Sequence, residues 1–480
     1  MIIRSNVNLD LLLYGRDYME TYSPTTSVLI INILLSIAGK RKLVVSDFDV
    51  GSAFLEGYND FVQYCRVPVE MSPGDYPYRL RIIKSLYGEK QAPKLWNERL
   101  NEILLSIGLI RCPVEACMYM WRNNNEYLYL VIHVDDGLIT ATSIEFTELF
   151  ISEFKKHLHK VKLFYPIQRY LGMTIDTHSL DNKIRLSQSE YVDDLKLFDS
   201  YKKTLIPMSP HYNLRNELPN INNDSLLPIT GKLRYITDRT RPDLLVSVGE
   251  ISTGGAEHPS DNHINVAKQI YSYLKTTSTK CLVLGGDDNC ILFGFCDASY
   301  VTTGTCKSRI GGCVFDSWNS GSIYSFSKND TTVPHSSTES EIKALDELIK
   351  VMIHIDNIRS FIGYKRTSPM TIYCDSKSSI NLVSTLKSTT QTRHINMRIN
   401  FIRQCINDRT IQVIFIPTDH NVADVLTKPL SRILFEIHRD KLLYGFNGEV
   451  IQSNVKSYFT YQQCSNQLDL YKSYQSLYEN

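Results

Sequence analysis

Apolar residues recur at helical spacing through Trp96, Leu100, Ile103, Leu104 and Ile107, with Pro93 near the start and Gly108 just past the end. That pattern predicts one helix between them. Two apolar runs, Leu128 to Val134 and Gly137 to Thr142, flank Asp135-Asp136 and predict a hairpin with acidic residues at its turn. Residues 201 to about 230 are polar and irregular, as a linker would be, and a helical stretch follows from Asp261 to Thr276. From Ile291 the pattern changes. Strand-like Ile291–Cys296, Ile310–Phe315 and Ile323–Phe326 precede a long helical pattern from Thr338 to Phe361, with Ser336 and Glu339 in capping-box spacing. Strand Met370–Cys374, a helix, a further helix from Ile395 to Asn407 and strand Ile411–Ile416 complete the region. Strands first, then alternating helix and strand, predict a mixed α/β domain. The tail after Phe446, rich in Tyr, Gln, Ser and Asn, is expected to be mobile.

Length and composition narrow this little. At 480 residues the chain has room for several domains of about 100–200 residues each. Lys+Arg 52 against Asp+Glu 51 gives a net charge of +1, so any nucleic-acid or anion site must come from local arrangement rather than bulk charge. The 11 cysteines are odd in number and form no C-x-x-C pair, which predicts free thiols in a reducing, intracellular setting and no zinc cage. The longest apolar stretch, Val28 to Ala38, is broken by Asn32 and is too short for a bilayer, so neither secretion nor membrane insertion is expected.

Two sets of carboxylates carry the candidate chemistry. Asp135-Asp136 alone is a common turn sequence, but two apolar strands would hold it at a fixed point. Upstream, Val44-Val45-Ser46-Asp47-Phe48-Asp49-Val50 places Asp47 and Asp49 on one face of a strand. Either one, beside the acidic turn, could help bind two Mg²⁺ ions for nucleotidyl transfer. Spacing does not choose between them. The second set lies in the last domain. Asp297 ends the first strand there, Glu341 shares the inward face of the long helix with Ala344, Leu345 and Leu348, Asp375 ends strand Met370–Cys374, and Asp424 follows strand Ile411–Ile416. Gathered at one sheet edge, these four could hold two Mg²⁺ ions around a scissile phosphate.

The ordered motifs resemble copia-type LTR-retrotransposon Pol proteins. Asp49-Val50-Gly51-Ser52-Ala53-Phe54-Leu55 looks like the first catalytic block of their reverse transcriptases, and Val134-Asp135-Asp136 looks like the second. Between them, Ser85-Leu86-Tyr87-Gly88-Glu89-Lys90-Gln91-Ala92-Pro93-Lys94-Leu95-Trp96 is close to S-L-Y-G-L-K-Q-A-P-R-x-W. Tyr18 to Pro24, Tyr170 to Met173, Leu186 to Gln188 and Thr240 to Leu244 are further matches. The resemblance implies that Asp49, rather than Asp47, joins Asp135 and Asp136 as metal ligands. It also implies that Val50 offers its carbonyl to the bound triphosphate, Phe54 gates the sugar against a 2′-OH, and Gln91 lines the nucleotide pocket. Trp96 and Phe54 also read as core positions.

The last domain is similar to the ribonuclease H fold. Ser336 to Glu341 resembles the copia S-S-T-E-A-E, in which the second Glu is the ligand, and Ala423 to Leu430 resembles A-D-x-x-T-K-P-L. The implied metal ligands are Asp297, Glu341, Asp375 and Asp424, with His420 at the position of a mobile product-release histidine. Arg393-His394-Ile395 also matches.

The resemblance therefore implies an α/β and α+β multidomain chain: right-hand polymerase fingers and palm over 1–200, thumb or connection over 201–285, a ribonuclease H-like domain over 286–432 and a polar tail over 433–480. Its expected activity is RNA-directed DNA polymerisation with ribonuclease H cleavage, using two Mg²⁺ ions per site. Expected partners are template RNA, DNA primer, RNA–DNA hybrid and deoxynucleoside triphosphates, with no membrane. The expected setting is the cytoplasm, in virus-like particles, and the nucleus. Several positions depart from the family. Met1–Gly15 lacks the basic strand, Asn32 replaces an Arg expected against the triphosphate, His133 replaces Tyr, Glu89 replaces Leu, and Asn396 stands where Asp is frequent. They leave open a rival reading, a folded remnant that binds nucleic acid without polymerising.

Overall fold

The computed structural model describes residues 19–66, 79–158, 160–178, 181–212, 223–253, 257–287, 290–300, 308–330, 336–384 and 395–446, with 214, 218, 220, 332 and 334. The segment Met1–Gly15, Tyr18, Arg393-His394 and the tail after Phe446 lie outside the described residues. The chain is mixed α/β and divides into two compact units: residues 1–188 with 349–368, and residues 189–348 with 369–480.

The first unit begins with α1 (Val28–Arg41), apolar and buried from Ile30 to Lys40 and closed by Lys42 in the left-handed conformation. The strands and helices that follow are β1 (Val44–Val50), β2 (Tyr58–Arg66), β3 (Arg79–Lys84), α2 (Ala92–Ile107), β4 (Ile110–Arg111), β5 (Met118–Asn123), β6 (Glu126–His133), β7 (Asp136–Ala141), α3 (Ile144–Lys155), β8 (Val161–Phe164), β9 (Arg169–Tyr170), β10 (Met173–Asp176) and β11 (Lys183–Ser187). A six-stranded sheet runs β4-β5-β6-β7-β1-β8, with β1 antiparallel to both neighbours. Helices α2 and α3 cover its core, where Trp96, Leu100 and Leu104 meet Phe48, Val50, Phe146, Phe150 and Phe154. The two ends of α2 follow the sequence signals: Pro93 sits in its first turn and Gly108, at φ 103°, caps it. Ser143 caps α3 by accepting from the Phe146 amide at 3.1 Å.

β2 and β3 form a separate two-stranded ribbon that the hydrophobic pattern did not announce. It leaves Tyr58, Val62, Tyr64, Leu80 and Ile83 exposed.

The second unit starts with α4 (Ser189–Asp194), α5 (Leu227–Thr237), α6 (Leu245–Ser252), α7 (Asp261–Thr276) and β12 (Leu282–Gly285). The Thr240-to-Leu244 motif proves to be a buried polar lock. Arg241 makes paired bonds to Asp243 at 3.0 and 2.8 Å, donates to Thr277, and Tyr273 donates to Asp243 at 2.6 Å. Then come β13 (Phe293–Ser299), β14 (Arg309–Phe315), β15 (Tyr324–Asn329), α8 (Ser337–Phe361), β16 (Met370–Cys374), α9 (Lys377–Ser384), α10 (Asn396–Asn407), β17 (Ile411–Phe415) and α11 (Arg432–Tyr444). The sheet order is β15-β14-β13-β16-β17. Its first three strands are antiparallel and its last two pairings parallel, the mixed sheet expected of a ribonuclease H-like domain.

β13 continues to Ser299, past the expected end at Cys296. Asp297 therefore lies within the strand, paired with Gly311, because the β14 ladder carries the pairing beyond the apolar run. α8 begins where Ser336 accepts from the Glu339 amide at 3.1 Å. Its C-terminal part, from Ile349, belongs to the first unit.

Candidate metal centres

The first cluster stands on β1 and the β6–β7 hairpin. Strand alternation sends Phe48 and Val50 into the core and leaves Asp47 and Asp49 on the other face. Asp49 stands opposite Asp136 in register, and the Val50 amide donates to the Asp135 carbonyl at 3.0 Å. The turn between β6 and β7 is strained: Val134, β-branched, has φ 62°, a conformation that costs on the order of 1–3 kcal/mol. The Trp96 indole donates to the Val134 carbonyl at 2.7 Å and holds that turn. Gly137 lets the hairpin close on β1, since a Cβ there would lie 2.3 Å from the Phe48 ring.

Like charge is crowded on this face. Burial, then Asp135 and Asp49, hold the Asp136 carboxyl above its usual range, while His133 opposes them. Asp47 is pushed up to about 6, by burial first and then by Asp136. Among the described residues, the oxygens of Asp49, Asp135 and Asp136 do not all come within 4.8 Å of one another. The three share one place on the sheet, loosely spaced.

The surrounding residues are specific. Phe54, in the short turn Ala53–Glu56, packs edge-on against Tyr87 at 5.1 Å. The Tyr87 hydroxyl is raised by burial and then by Asp135 and Asp49, which places it in the field of the carboxylates. Glu89, buried, accepts from the Leu86 amide at 3.0 Å and so braces the loop where the family has Leu. Gln91 is 1% exposed and donates to Asn59 at 3.2 Å, which fixes its amide. Asn32 is 5% exposed on α1. That is a packed position, where the resemblance expects an Arg against the triphosphate.

The second cluster is tighter. Oxygens of Asp297, Asp375 and Asp424 lie within 4.8 Å of one another, and so do ligand atoms of Glu341, Cys374 and Asp375. Asp424 sits in the turn Val422–Leu426, entered by Asn421, whose side chain accepts from the Ala423 amide and donates to the Cys296 carbonyl. Thr427 donates to Asp297, and Thr418 donates to Asp375 at 2.8 Å. His420 is exposed in the turn Thr418–His420 beside this contact.

Burial, then Asp297, Cys374 and Asp375, push Glu341 up to about 10. Burial and Asp297 push Asp424 up to about 7 against the opposing Lys428. Asp297 is also raised, chiefly by burial. Such a set cannot carry all its charges unaided, and hard carboxylate oxygens are what Mg²⁺ requires. Glu341 Oε2, buried and with no hydrogen-bond partner, fits a ligand atom.

Sequence reasoning left two participants without a role. Lys428 lies 3.0 Å from Asp424 and 3.9 Å from Asp297, and its spacing of four from Asp424 was the available signal. Tyr87 had no such signal, because its approach to Asp49 and Asp135 is made by the fold.

Residues 12–210 match the family described as reverse transcriptase (RNA-dependent DNA polymerase). Over 89% of its length the chain is 30% identical to the retrovirus-related Pol polyprotein from transposon TNT 1-94 of Nicotiana tabacum, covering 33% of that protein. Over 88% it is 29% identical to the Pol polyprotein from transposon RE2 of Arabidopsis thaliana, covering 29%. The chain thus spans about a third of the length of these relatives. A solved foamy viral protease–reverse transcriptase with double-stranded DNA is 11% identical, with a TM-score of 0.46 over 83% of this chain and 61% of that one. The resemblance read from the motifs, to copia-type retrotransposon Pol polyproteins, holds over most of the chain.

Proposed function

From a chain with a reverse transcriptase match and Pol relatives along most of its length, we propose an RNA-directed DNA polymerase joined to a ribonuclease H. The observation that carries the polymerase is the register of Asp49 against Asp136 with Asp135 in the adjoining strained turn. Asp49, Asp135 and Asp136 would hold Mg²⁺ in the first unit, and Asp297, Glu341, Asp375 and Asp424 would hold it in the second. When bound, Mg²⁺ makes a 3′-OH or a water a stronger nucleophile and steadies the charge that develops on phosphate.

The chain's own residues do the rest. Trp96 and the Val50 amide fix the acidic turn against β1, so the carboxylates meet substrate in a set geometry. The Phe54 ring, backed by Tyr87, offers a flat apolar wall under a sugar and excludes a 2′-OH. Gln91, held by Asn59, supports the nucleotide pocket, and the Val50 carbonyl faces the triphosphate. In the second unit, Thr427, Thr418 and Lys428 orient three of the four carboxylates around the scissile phosphate of an RNA–DNA hybrid. His420, exposed at the rim, escorts the product phosphate out.

The test is Mg²⁺-dependent primer extension on an RNA template by the full chain, with Asp135→Asn as control, and cleavage of an RNA–DNA hybrid, with Asp424→Asn as control. Extension and cleavage that each vanish in the matching variant support the reading. A folded chain that binds template yet extends no primer would make it the remnant instead.

A further inference from the structure

Cys374 is the last residue of β16 and stands in register with Cys296 on β13. Both are fully buried, and the function proposed above uses neither. The Cys296 thiol donates to the Tyr373 carbonyl at 3.8 Å. Cys374 faces the acids: its sulfur and the oxygens of Glu341 and Asp375 lie within 4.8 Å of one another. A second observation points to a ligand there. Glu341 is 8% exposed, and its Oε2 has no hydrogen-bond partner, although a buried acceptor left unpaired is destabilising.

We propose that Cys374, Glu341 and Asp375 form a binding site for a thiophilic divalent cation, Zn²⁺ or Cd²⁺, different in chemistry from the all-oxygen cluster of Asp297, Asp375 and Asp424.

The donor set decides the class of ion. Mg²⁺ takes oxygen ligands in octahedral geometry and gains nothing from sulfur, whereas thiolate beside carboxylate is a zinc-type set. Zn–S bonds of about 2.3 Å and Zn–O bonds of about 2.0–2.2 Å put tetrahedral ligand atoms roughly 3.5 Å apart. Starting from within 4.8 Å of one another, the three ligand atoms need close by no more than roughly 1.3 Å on that scale. Binding exchanges the thiol proton for the metal, and the proton passes to the buffer. Asp375 belongs to both clusters, and Glu341 is one of the four carboxylates of the proposed hydrolytic site, so a thiophilic ion seated here takes two of that site's ligands and blocks it. The blocking rests on the proposed ribonuclease H reading; the binding does not.

The experiment is a Cd²⁺ titration of the full chain, followed by the sulfur-to-metal charge-transfer band in the ultraviolet. Because Cys65, Cys281 and Cys290 are free and partly exposed and add weaker bands of their own, Cys374→Ala should remove the tightest-binding part of the band, with Cys374→Ser as a second variant in case the first fails to fold. Glu341→Gln keeps every thiol and should weaken Cd²⁺ binding by roughly tenfold or more. A band as strong in both folded Cys374 variants as in the parent overturns the proposal, as does Cd²⁺ affinity indifferent to Glu341→Gln. Where the parent cleaves hybrid with Mg²⁺, Cys374→Ala should need about tenfold more Zn²⁺ for half-inhibition. A parent without cleavage leaves the Cd²⁺ titration to decide alone, so failure of the enzymatic reading is distinguishable from failure of this one.

Discussion

Trp96→Phe isolates what holds the acidic turn. The indole is 1% exposed, and its nitrogen donates to the carbonyl of Val134 at 2.7 Å. Phenylalanine keeps most of the apolar contact and removes the donor. Losing the bond leaves a carbonyl unpaired, at about 1–3 kcal/mol, and the smaller ring adds about 1 kcal/mol of lost burial. The expected destabilisation is about 2–4 kcal/mol. The larger effect is on geometry, because a turn strained at φ 62° relaxes once its clamp is gone, and Asp135 moves with it. Extension per folded molecule should fall by roughly tenfold or more, the equivalent of about 1.4 kcal/mol or more in the barrier.

Leu100→Ala is the control: the same helix and the same core, 2% exposed, a cost of about 2–5 kcal/mol, and a side chain with no hydrogen bond to give the turn. Urea unfolding gives the stabilities, and single-nucleotide extension beside hybrid cleavage gives the two activities. The reasoning fails if Trp96→Phe extends like the parent once normalised to folded protein. It fails equally if Leu100→Ala loses as much extension per folded molecule.

Asp375→Asn or Asp424→Asn should abolish hybrid cleavage and leave extension largely intact; joint loss in a folded variant argues against two independent centres. Phe54→Val should raise ribonucleotide incorporation relative to deoxyribonucleotide, and an unmoved ratio makes Phe54 a core residue only. Asp243→Asn strands the buried Arg241 guanidinium and should cost about 3–5 kcal/mol by urea unfolding, with a cost under about 1 kcal/mol counting against the lock. His438 is fully buried with neither ring nitrogen bonded, and its pKa is pushed down to about 3 by burial, then Lys441, His420 and Lys428. Its neutral ring contributes fully above pH about 6.5, where the unfolded chain is also neutral, and that contribution drains away as pH falls toward the folded value. His438→Leu should therefore remove roughly 2 kcal/mol of the stability difference between about pH 7 and pH 5, and parallel pH profiles for parent and variant would refute this.

Local pattern announced those elements whose two faces differ. α2 shows its buried stripe and both termini in the chain itself, and α7 follows its expected bounds, Asp261 to Thr276. The β6–β7 hairpin was legible because two apolar runs bracket two acids. The β2–β3 ribbon was not: β3 is exposed or half-buried throughout, so no alternation marks it. Asp297 was placed at a strand end because hydrophobicity stops at Cys296, whereas ladder pairing with β14 does not. The carboxylates were found by motif order. Their partners were not, since Thr427 reaches Asp297 from 130 residues away and only the sheet brings them together.

The division of α8 between the two units has a consequence for how the gene can be cut. The first unit is not finished at residue 188; it takes back residues 349–368. Within it, Tyr129 donates to the Ile362 carbonyl at 2.9 Å, and the Arg41 guanidinium lies 4.6 Å from the centre of the Tyr364 ring. An expression fragment ended at the apparent boundary would lose both contacts, while the complementary fragment would carry the end of α8 without the partners it has in the first unit. Linear order along the chain and order of assembly differ here. Exchange between elements of this kind should preserve the whole span from α1 to the end of α8 as one inherited piece, and recombination inside it should yield protein that aggregates.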